Sequence, residues 1–266
     1  MSKLEEALEK ARNIREEKNT VKEKKQYAFQ KIRAKKIGSP YIVTVNEPES
    51  FISEEYRRLK SMLIRETKKD FLNTLMITSA TNGEGKSLTA VNLAVTLAQE
   101  IDHSVILVEA DIRKPLIHQM LDIKYQYGLT DYLSSEIDIS DILIKTGIGK
   151  MVYVPAGSMV RNPVELLSSQ KMHDFMSEIK HRYMDRYVII DTPPVLACSE
   201  TITMASYTDG TVFVVREGYV QEKVISEALN MLTGVNMLGI VYNSASKLNM
   251  DGYFYNYYSV RNKEVK

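Results

Sequence analysis

The stretch Ala80–Ser87, ATNGEGKS, decides the fold of this chain. It follows a strand-length apolar run, TLMITS, and precedes SLTAVNLAVTLAQE, which has the composition of a helix. A glycine-rich loop between a strand and a helix presents backbone N–H groups to phosphate, and its final lysine and serine add a cation and a Mg²⁺ ligand. The stretch therefore predicts a phosphate-binding loop, with Ala80 where the usual pattern begins with glycine.

Five further apolar runs of strand length lie along the chain: SVILVEA, MVYVPAG, YVIIDTP, TVFVVRE and MLGIVYN. Helical segments separate most of them. Continuous apolar runs, rather than alternation with polar residues, indicate strands buried on both faces of a mostly parallel sheet. The predicted fold class is therefore α/β, a P-loop NTPase whose mostly parallel sheet has helices on both faces.

Carboxylates end two of these runs. VILVEADIRKP carries Glu109 and Asp111, and YVIIDTPP carries Asp191. In a doubly wound sheet the carboxyl ends of the strands converge on the ligand crevice. Asp191 resembles a Walker B aspartate that holds a Mg²⁺-bound water, and Asp111 is suited to act as a base or a second metal contact. We expect Lys86, Asp111 and Asp191 to form one catalytic site.

Composition excludes several classes of protein. The hydrophobic and charged fractions, 44% and 26%, are those of a globular protein, and the single cysteine, Cys198, permits no internal disulfide. No apolar run approaches the roughly 20 residues of a membrane-spanning helix. The amino terminus lacks the apolar core of a signal peptide, so the sequence predicts a cytoplasmic protein. The cysteine phosphatase loop C-x₅-R, a histidine metal-ligand spacing and the guanine motif N-K-x-D are all missing. Cys198 is therefore read as ordinary core, and an ATPase is favoured over a GTPase.

Charge and composition divide the chain into three parts. Residues 1–40 carry a net charge of +6 and the remainder −5. Apolar residues at helical spacing from Leu4 to Ile14 predict an amphipathic helix in this arm. The arm as a whole is interpreted as a solvated segment, and binding to nucleic acid or anionic lipid stays open as the alternative. The compact domain is expected at 41–245 and a flexible tail at 246–266. Within the domain, SEEYRRLKSMLIRE predicts a helix with Ser53 as its N-cap.

The tail contains the stretch DGYFYNYYSV at 251–260. Its tyrosines are Tyr253, Tyr255, Tyr257 and Tyr258. The tail has few aliphatic residues, so it packs poorly on its own and is suited to enter a cleft. The alternative is a carboxyl-terminal strand that packs its aromatic side chains.

Taken together, ATNGEGKS, VILVEADIRKP, YVIIDTPP, the helix EEYRRLK and the tyrosine tail resemble the bacterial tyrosine kinases of capsule and exopolysaccharide synthesis. In that family a MinD-like P-loop fold phosphorylates tyrosine with three motifs, Walker A, A′ and B. Here they match Ala80–Ser87, Glu109–Arg113 and Val188–Asp191. The A′ motif usually starts with aspartate, and this chain has Glu109, so Asp111 is the firmer metal contact.

The resemblance implies ATP and Mg²⁺ as nucleotide and metal, with Lys86, Asp111 and Asp191 as catalytic residues and Asp111 as the acceptor of the tyrosine proton. Ser87, Asp111 and Asp191 are the implied metal ligands. The implied nucleotide-binding residues are Thr81, Asn82, Gly83, Glu84, Gly85, Lys86, Ser87, Leu88, Arg113 and Asn243. Asn243 is expected to contact adenine, and for Arg113 a salt bridge stays open as the alternative to a phosphate contact.

The resemblance also implies assembly. Family members join into a ring through a helix patterned E-x-x-R-x-x-R, which Glu54, Arg57 and Lys60 match with lysine in the last place. The tail tyrosines are then phosphorylated in trans by a neighbouring subunit. The implied partners are a separate membrane chain-length regulator that activates the kinase at the inner face of the membrane, and a cognate tyrosine phosphatase. No nucleic acid is expected.

Two other functions stay open on the sequence. A MinD/ParA-type positioning ATPase would bind membrane or DNA according to its nucleotide, but that class has a lysine where this chain has Thr81. A degenerate nucleotide-binding scaffold is disfavoured because Lys86, Ser87 and Asp191 are all present.

Overall fold

The computed structural model describes residues 30–31, 39–69, 71–182 and 185–246. The predicted amphipathic helix and the four tail tyrosines lie outside these residues. The strands are β1 Gln30–Lys31, β2 Thr74–Ser79, β3 Ser104–Glu109, β4 Ile144–Lys145, β5 Met151–Val154, β6 Arg186–Asp191, β7 Gly210–Arg216 and β8 Met237–Asn243. The helices are α1 Val43–Asn46, α2 Phe51–Thr67, α3 Lys86–Ala98, α4 Ile117–Met120, α5 Leu129–Ser134, α6 Ile139–Ile142, α7 Pro163–Leu167, α8 Gln170–His181, α9 Glu200–Ala205 and α10 Glu222–Met231.

The strands form a single sheet in the order β1-β4-β5-β3-β6-β2-β7-β8. All neighbours run parallel except β4 with β5. All six predicted runs are strands, which confirms the α/β prediction. The two short strands β1 and β4 were not predicted, and β1 lies inside the arm that the sequence predicts to be helical. A two-residue strand has too few residues to show a periodic pattern.

Hydrophobic side chains cover both faces of the sheet. Along β2, Leu75 and Ile77 join the cluster beneath α3, whereas Met76 joins the opposite cluster beneath α5 to α10. Helix α3 is buried on nearly all sides because the sheet covers one side of it and α2 the other. An all-round apolar helix of this kind needs two covering layers. The helix that follows the phosphate-binding loop is therefore held rigidly.

Helix α2 begins earlier than the sequence predicts. Its N-cap is Ser50, whose hydroxyl accepts a hydrogen bond from the Ser53 N–H at 3.2 Å. The hydroxyl of Ser53 is buried instead and donates to the carbonyls of Val43 and Glu47. The prediction of Ser53 as the cap was wrong because a serine one turn inside a helix has the same local sequence signature. Ser53 ties α2 to the short helix α1.

Strand β8 departs from the expected burial on both faces. Its Ile240 and Tyr242 side chains are more than half exposed. The reason is its place at the edge of the sheet, where β7 is its only paired neighbour in the described part of the chain. Strand length and apolar content alone do not distinguish an edge strand from a central one.

Candidate active site

The phosphate-binding loop connects β2 to α3. Gly83 and Gly85 have φ angles of +88° and +96°, a region that favours glycine. A Cβ at Gly85 would lie 2.1 Å from Nδ2 of Asn243, so close packing also requires glycine there. The Glu84 carboxylate links the two ends of the loop, because its Oε1 accepts hydrogen bonds from the N–H and the hydroxyl of Thr81. The N-terminus of α3 therefore starts from a rigid turn.

Lys86 is the first residue of α3 and is buried against the A′ motif. Its Nζ donates to Oδ2 of Asp111 at 2.6 Å and lies 3.4 Å from the Ser87 hydroxyl. Burial opposes the charge on the amine, but the carboxylates of Asp191 and Asp111 outweigh it and raise the pKa of Lys86 above its ordinary value. Lys86 therefore stays a cation at neutral pH.

Asp191 ends β6, the strand between β2 and β3. Its backbone oxygen accepts from the Ala110 N–H at 2.8 Å, which places the Walker B and A′ motifs side by side. Among the described residues, neither carboxylate oxygen of Asp191 has a hydrogen-bond partner of normal geometry. Burial raises the pKa of this carboxyl from 3.8 to about 7, while Lys86 and the nearby Ser87 hydroxyl oppose the rise. A buried carboxyl that lacks a hydrogen-bond partner and has a raised pKa is a candidate ligand-binding group.

These side chains fit a magnesium ion. The Ser87 hydroxyl, Asp111 and the unpartnered oxygens of Asp191 are hard oxygen donors at one end of the sheet. Magnesium is usually held by one or two carboxylates together with water and substrate phosphates, rather than by a cage of protein ligands. No group of three or more His, Cys, Asp or Glu side chains with metal-site geometry occurs within the described ranges. The contacts of Lys86 and the influence of Ser87 and Asp111 on Asp191 show that the three predicted metal ligands lie close together.

The outer side of the loop is covered by the ends of β7 and β8. Asn243 donates to the Glu84 carbonyl at 2.8 Å, and Arg216 donates to the Gly83 carbonyl at 3.3 Å. The Arg216 guanidinium also lies over the ring of Tyr219, 5.1 Å from its centroid. Asn243 thus lies next to the loop, and its contact with the nucleotide stays a prediction. Arg216 and Tyr219 were missed because no motif marks them.

Arg113 of the A′ motif forms an ion pair, a role that the sequence left open, with a partner that the sequence did not identify. Its Nε donates to Oε1 of Glu200 at 2.6 Å. Glu200 is fully buried at the start of α9, whereas half of the Arg113 side chain is exposed. A carboxylate closely following the Walker B strand was the available signal. The pair joins the A′ loop to the segment that follows Asp191.

We expect Arg113→Ala to lower the free energy of unfolding by about 1–3 kcal/mol, because it leaves the buried Glu200 carboxylate without its cation. Glu200→Gln should lower the free energy of unfolding by less. The loss in the double variant should be smaller than the sum of the losses in the two single variants. Urea unfolding of the four proteins measures this coupling. Strictly additive losses would show that the contact contributes no energy.

The residues predicted to join subunits lie on α2 and make contacts within the chain. Arg57 pairs with Glu54 and also donates to the Pro48 carbonyl. Lys60 pairs with Glu100 just beyond α3. Assembly through them stays a prediction.

Cys198 is half-buried, so the prediction that it is an ordinary core residue was wrong. It lies in the loop between Asp191 and α9.

Comparison with known proteins agrees with this geometry. Residues 70–257 match the ParA family model described as NUBPL iron-transfer P-loop NTPase. The cell division ATPase MinD of Pyrococcus furiosus has a similar fold, with a TM-score of 0.55 at 19% identity over 66% of this chain and 74% of that chain. The fold and the site therefore define a P-loop NTPase of the ParA/MinD class.

Closer relatives narrow the class. Tyrosine-protein kinase YwqD of Bacillus subtilis is 32% identical over 217 residues, 80% of this chain and 90% of that protein. The kinase domain of the Escherichia coli tyrosine kinase ETK is 29% identical with a TM-score of 0.75, covering 84% of this chain and 86% of that domain. The chain belongs to the bacterial tyrosine-protein kinases.

Within the described residues, every helix is too short or too polar to span a membrane.

Proposed function

We propose that this chain is an ATP-dependent autokinase that phosphorylates its carboxyl-terminal tyrosines in trans. The observation that carries the proposal is the cluster of Lys86, Asp111 and Asp191 at the phosphate-binding loop, in which the Asp191 carboxylate has no hydrogen-bond partner of normal geometry among the described residues. Positioning and neutralisation of charge are the main requirements of phosphoryl transfer. The cluster supplies a fixed cation and carboxylates at one place. The kinase domain is assigned to residues 41–245.

Each residue has a distinct role. Lys86 carries the positive charge that stabilises the transferred phosphoryl group. Ser87, Asp111 and Asp191 would hold the metal, which would neutralise phosphate oxygens. Asp111 orients Lys86 through Oδ2 and accepts from the Lys114 N–H through Oδ1. When Lys86 turns to phosphate, Oδ2 of Asp111 becomes available to accept the tyrosine proton.

The tail begins at the active-site edge of the sheet. Ser246, the last described residue, donates its N–H to the carboxylate of Glu217, directly beyond β7. An extended chain spans at most about 3.3–3.6 Å per residue, so Tyr253 can reach roughly 24 Å and Tyr258 roughly 40 Å from this point. These reaches let the tail tyrosines extend well away from their own active-site edge, as transfer in trans requires. Four phosphotyrosines would add about −6 to −8 charges and repel adjacent tails.

The wider setting is proposed from the family resemblance. The kinase regulates exopolysaccharide or capsule synthesis or export, and a separate membrane chain-length regulator recruits it to the inner face of the membrane and activates it. Glu54, Arg57 and Lys60 join the subunits, and a cognate phosphatase removes the phosphates. The exposed faces of Arg57 and Glu54 allow such a role, since both side chains keep part of their surface in water.

The test mixes two proteins with different masses. One carries Lys86→Met and an intact tail, and the other has an intact active site and phenylalanine at Tyr253, Tyr255, Tyr257 and Tyr258. We expect intact-mass spectrometry, after incubation with Mg-ATP and a candidate activator peptide, to find phosphate only on the Lys86→Met protein. Each protein alone should gain none, and wild type alone should gain several.

Other results lead to other conclusions. Transfer in cis would be indicated if wild type incubated alone gains phosphate while the Lys86→Met protein in the mixture gains none. If wild type hydrolyses ATP yet gains no phosphate with its activator, the positioning ATPase replaces the kinase. That alternative lacks support in the loop, because its signature lysine is replaced by Thr81, which makes local hydrogen bonds with Glu84 and Ser79.

A further inference from the structure

Glu109 is the last residue of β3 and the first residue of the A′ motif, and it is fully buried. Its Oε1 accepts the Ile117 N–H at 2.6 Å, and its Oε2 accepts the Tyr153 hydroxyl at 2.5 Å. A weaker contact joins Oε2 to the Ala156 N–H at 3.4 Å. Each oxygen therefore already has a partner from the fold.

Asp191 faces Glu109 across the β3–β6 ladder, where the two residues are register partners. Their surroundings are opposite. Asp191 has no hydrogen-bond partner of normal geometry in the described part of the chain, whereas both oxygens of Glu109 are occupied. Adjacent carboxylates with such different surroundings have different tasks. The unpartnered one is available to a ligand, and the partnered one is part of the scaffold.

The contact with Ile117 closes a loop. Residues 110–116 leave β3 at Glu109 and return at Ile117, the first residue of α4. This loop carries Asp111, which meets Lys86, and Arg113, which meets Glu200. The hydroxyl of Tyr153 on β5 fixes the Glu109 carboxylate by donating to its other oxygen, Oε2. The Glu109 side chain thus binds the end of the loop at Ile117 and is itself held in place by Tyr153.

We propose that Glu109 is a positioning residue that clamps the A′ loop through Ile117 and Tyr153, and that it does not bind the metal. The inference rests on the proposed kinase function, which it deepens. The aspartate usual at this place is shorter by one carbon–carbon bond, about 1.5 Å, so it would not reach both partners from the same backbone position.

Two substitutions separate clamping from metal binding because they predict opposite orders of activity. Glu109→Gln can still accept from Ile117 with its oxygen and donate to the Tyr153 oxygen with its nitrogen, but it is a poor metal ligand. Glu109→Asp keeps the charge and loses the reach. We expect the kcat for autophosphorylation to fall no more than about threefold in Glu109→Gln and about 10–100-fold in Glu109→Asp and Tyr153→Phe. The KM for ATP and the Mg²⁺ concentration for half-maximal activity should stay near the wild-type values.

The matched control is Tyr187→Phe, which removes another buried phenol hydroxyl, one that bonds to Thr67 at 2.8 Å. It should lower stability and leave the kcat unchanged. All rates are compared well below the unfolding temperature of each variant. If Glu109→Asp is active while Glu109→Gln is inactive and needs more Mg²⁺, Glu109 is a metal ligand. If the variants change only the unfolding temperature, Glu109 is merely structural, and the proposal also fails.

A second readout does not depend on kinase activity. Hydrogen exchange at the Ile117 amide of the nucleotide-free protein should be slow in wild type and Glu109→Gln, and about tenfold faster or more in Glu109→Asp and Tyr153→Phe. Equal exchange in all four proteins would overturn the clamp. This result separates a failure of the clamp from a failure of the kinase assignment, which is read from wild-type phosphorylation alone.

Discussion

Lys86→Met should reduce phosphoryl transfer at least about a thousandfold, the scale seen when a charged group that stabilises a phosphoryl transition state is removed. Methionine nearly preserves the length and apolar contacts of the lysine stem. The loss would therefore come from the missing cation. Lys86 is the buried cation that contacts Asp111 directly, and both Asp111 and Asp191 favour its charge. Phosphate incorporation measured by intact mass, with Mg-ATP and activator present, gives the ratio.

The matched control is Lys223→Met, which removes an exposed lysine of α10. It should retain wild-type phosphorylation. A Lys86→Met protein that is folded and still phosphorylates itself within tenfold of wild type would contradict the assigned role. The thermal unfolding of both variants shows whether the fold is intact.

Asp191→Asn should lower activity and raise stability, because the same carboxylate is a proposed metal ligand and a buried charge that destabilises the folded protein. Phosphorylation should fall about a hundredfold or more, since a proposed metal ligand is lost. The nucleotide-free and metal-free protein should become more stable at pH 8, by on the order of 1–4 kcal/mol. The amide carries no charge, so it avoids the cost of burying an unpartnered carboxylate.

The pH dependence has a definite sign. The pKa of Asp191 is raised to about 7 in the folded protein, and that of an unfolded aspartate is about 3.9. The folded state therefore binds more protons between these values, and wild type loses stability as pH rises from about 4 through 7. The advantage of Asp191→Asn should be nearly absent at pH 4 and largest above pH 8. Urea unfolding at several pH values measures it.

Asp209→Asn is the matched control. The Asp209 carboxylate accepts from the N–H groups of Asn73 and Thr74 and pairs with Lys180. Its loss should lower stability and leave the active site intact. If Asp191→Asn is also less stable than wild type at pH 8, the Asp191 carboxylate has a stabilising partner in solution and the expected sign of the pH dependence is wrong.

The sequence predicted those parts of the site that follow from local order along the chain. A loop after a strand and before a helix identified Lys86 and Ser87, and carboxylates at strand ends identified Asp111 and Asp191. Parallel strands carry their carboxyl ends to one edge, so the convergence of these residues followed from the fold class alone. The prediction that Asn243 binds the nucleotide came from the family resemblance and stays a prediction, and its hydrogen bond to the Glu84 carbonyl shows that it lies next to the loop.

Residues that act through distant partners could not be predicted. The role of Glu109 depends on Tyr153, which β5 brings alongside β3, and that of Arg113 depends on Glu200 at the start of α9. The N-cap at Ser50 depends on how α1 packs beneath Ser53.

The sequence by itself determined the fold class, the phosphate-binding loop and the three side chains that surround it, because each has a signature within a few residues of its own position. Only the tertiary structure decided which carboxylates lack partners. The Lys86 amine binds Asp111 at 2.6 Å, donors of the fold occupy both oxygens of Glu109, and neither oxygen of Asp191 has a hydrogen-bond partner of normal geometry in the described residues. Whether a buried carboxylate binds a ligand or holds a loop depends on donors that arrive from remote strands, and a linear sequence does not record those distances.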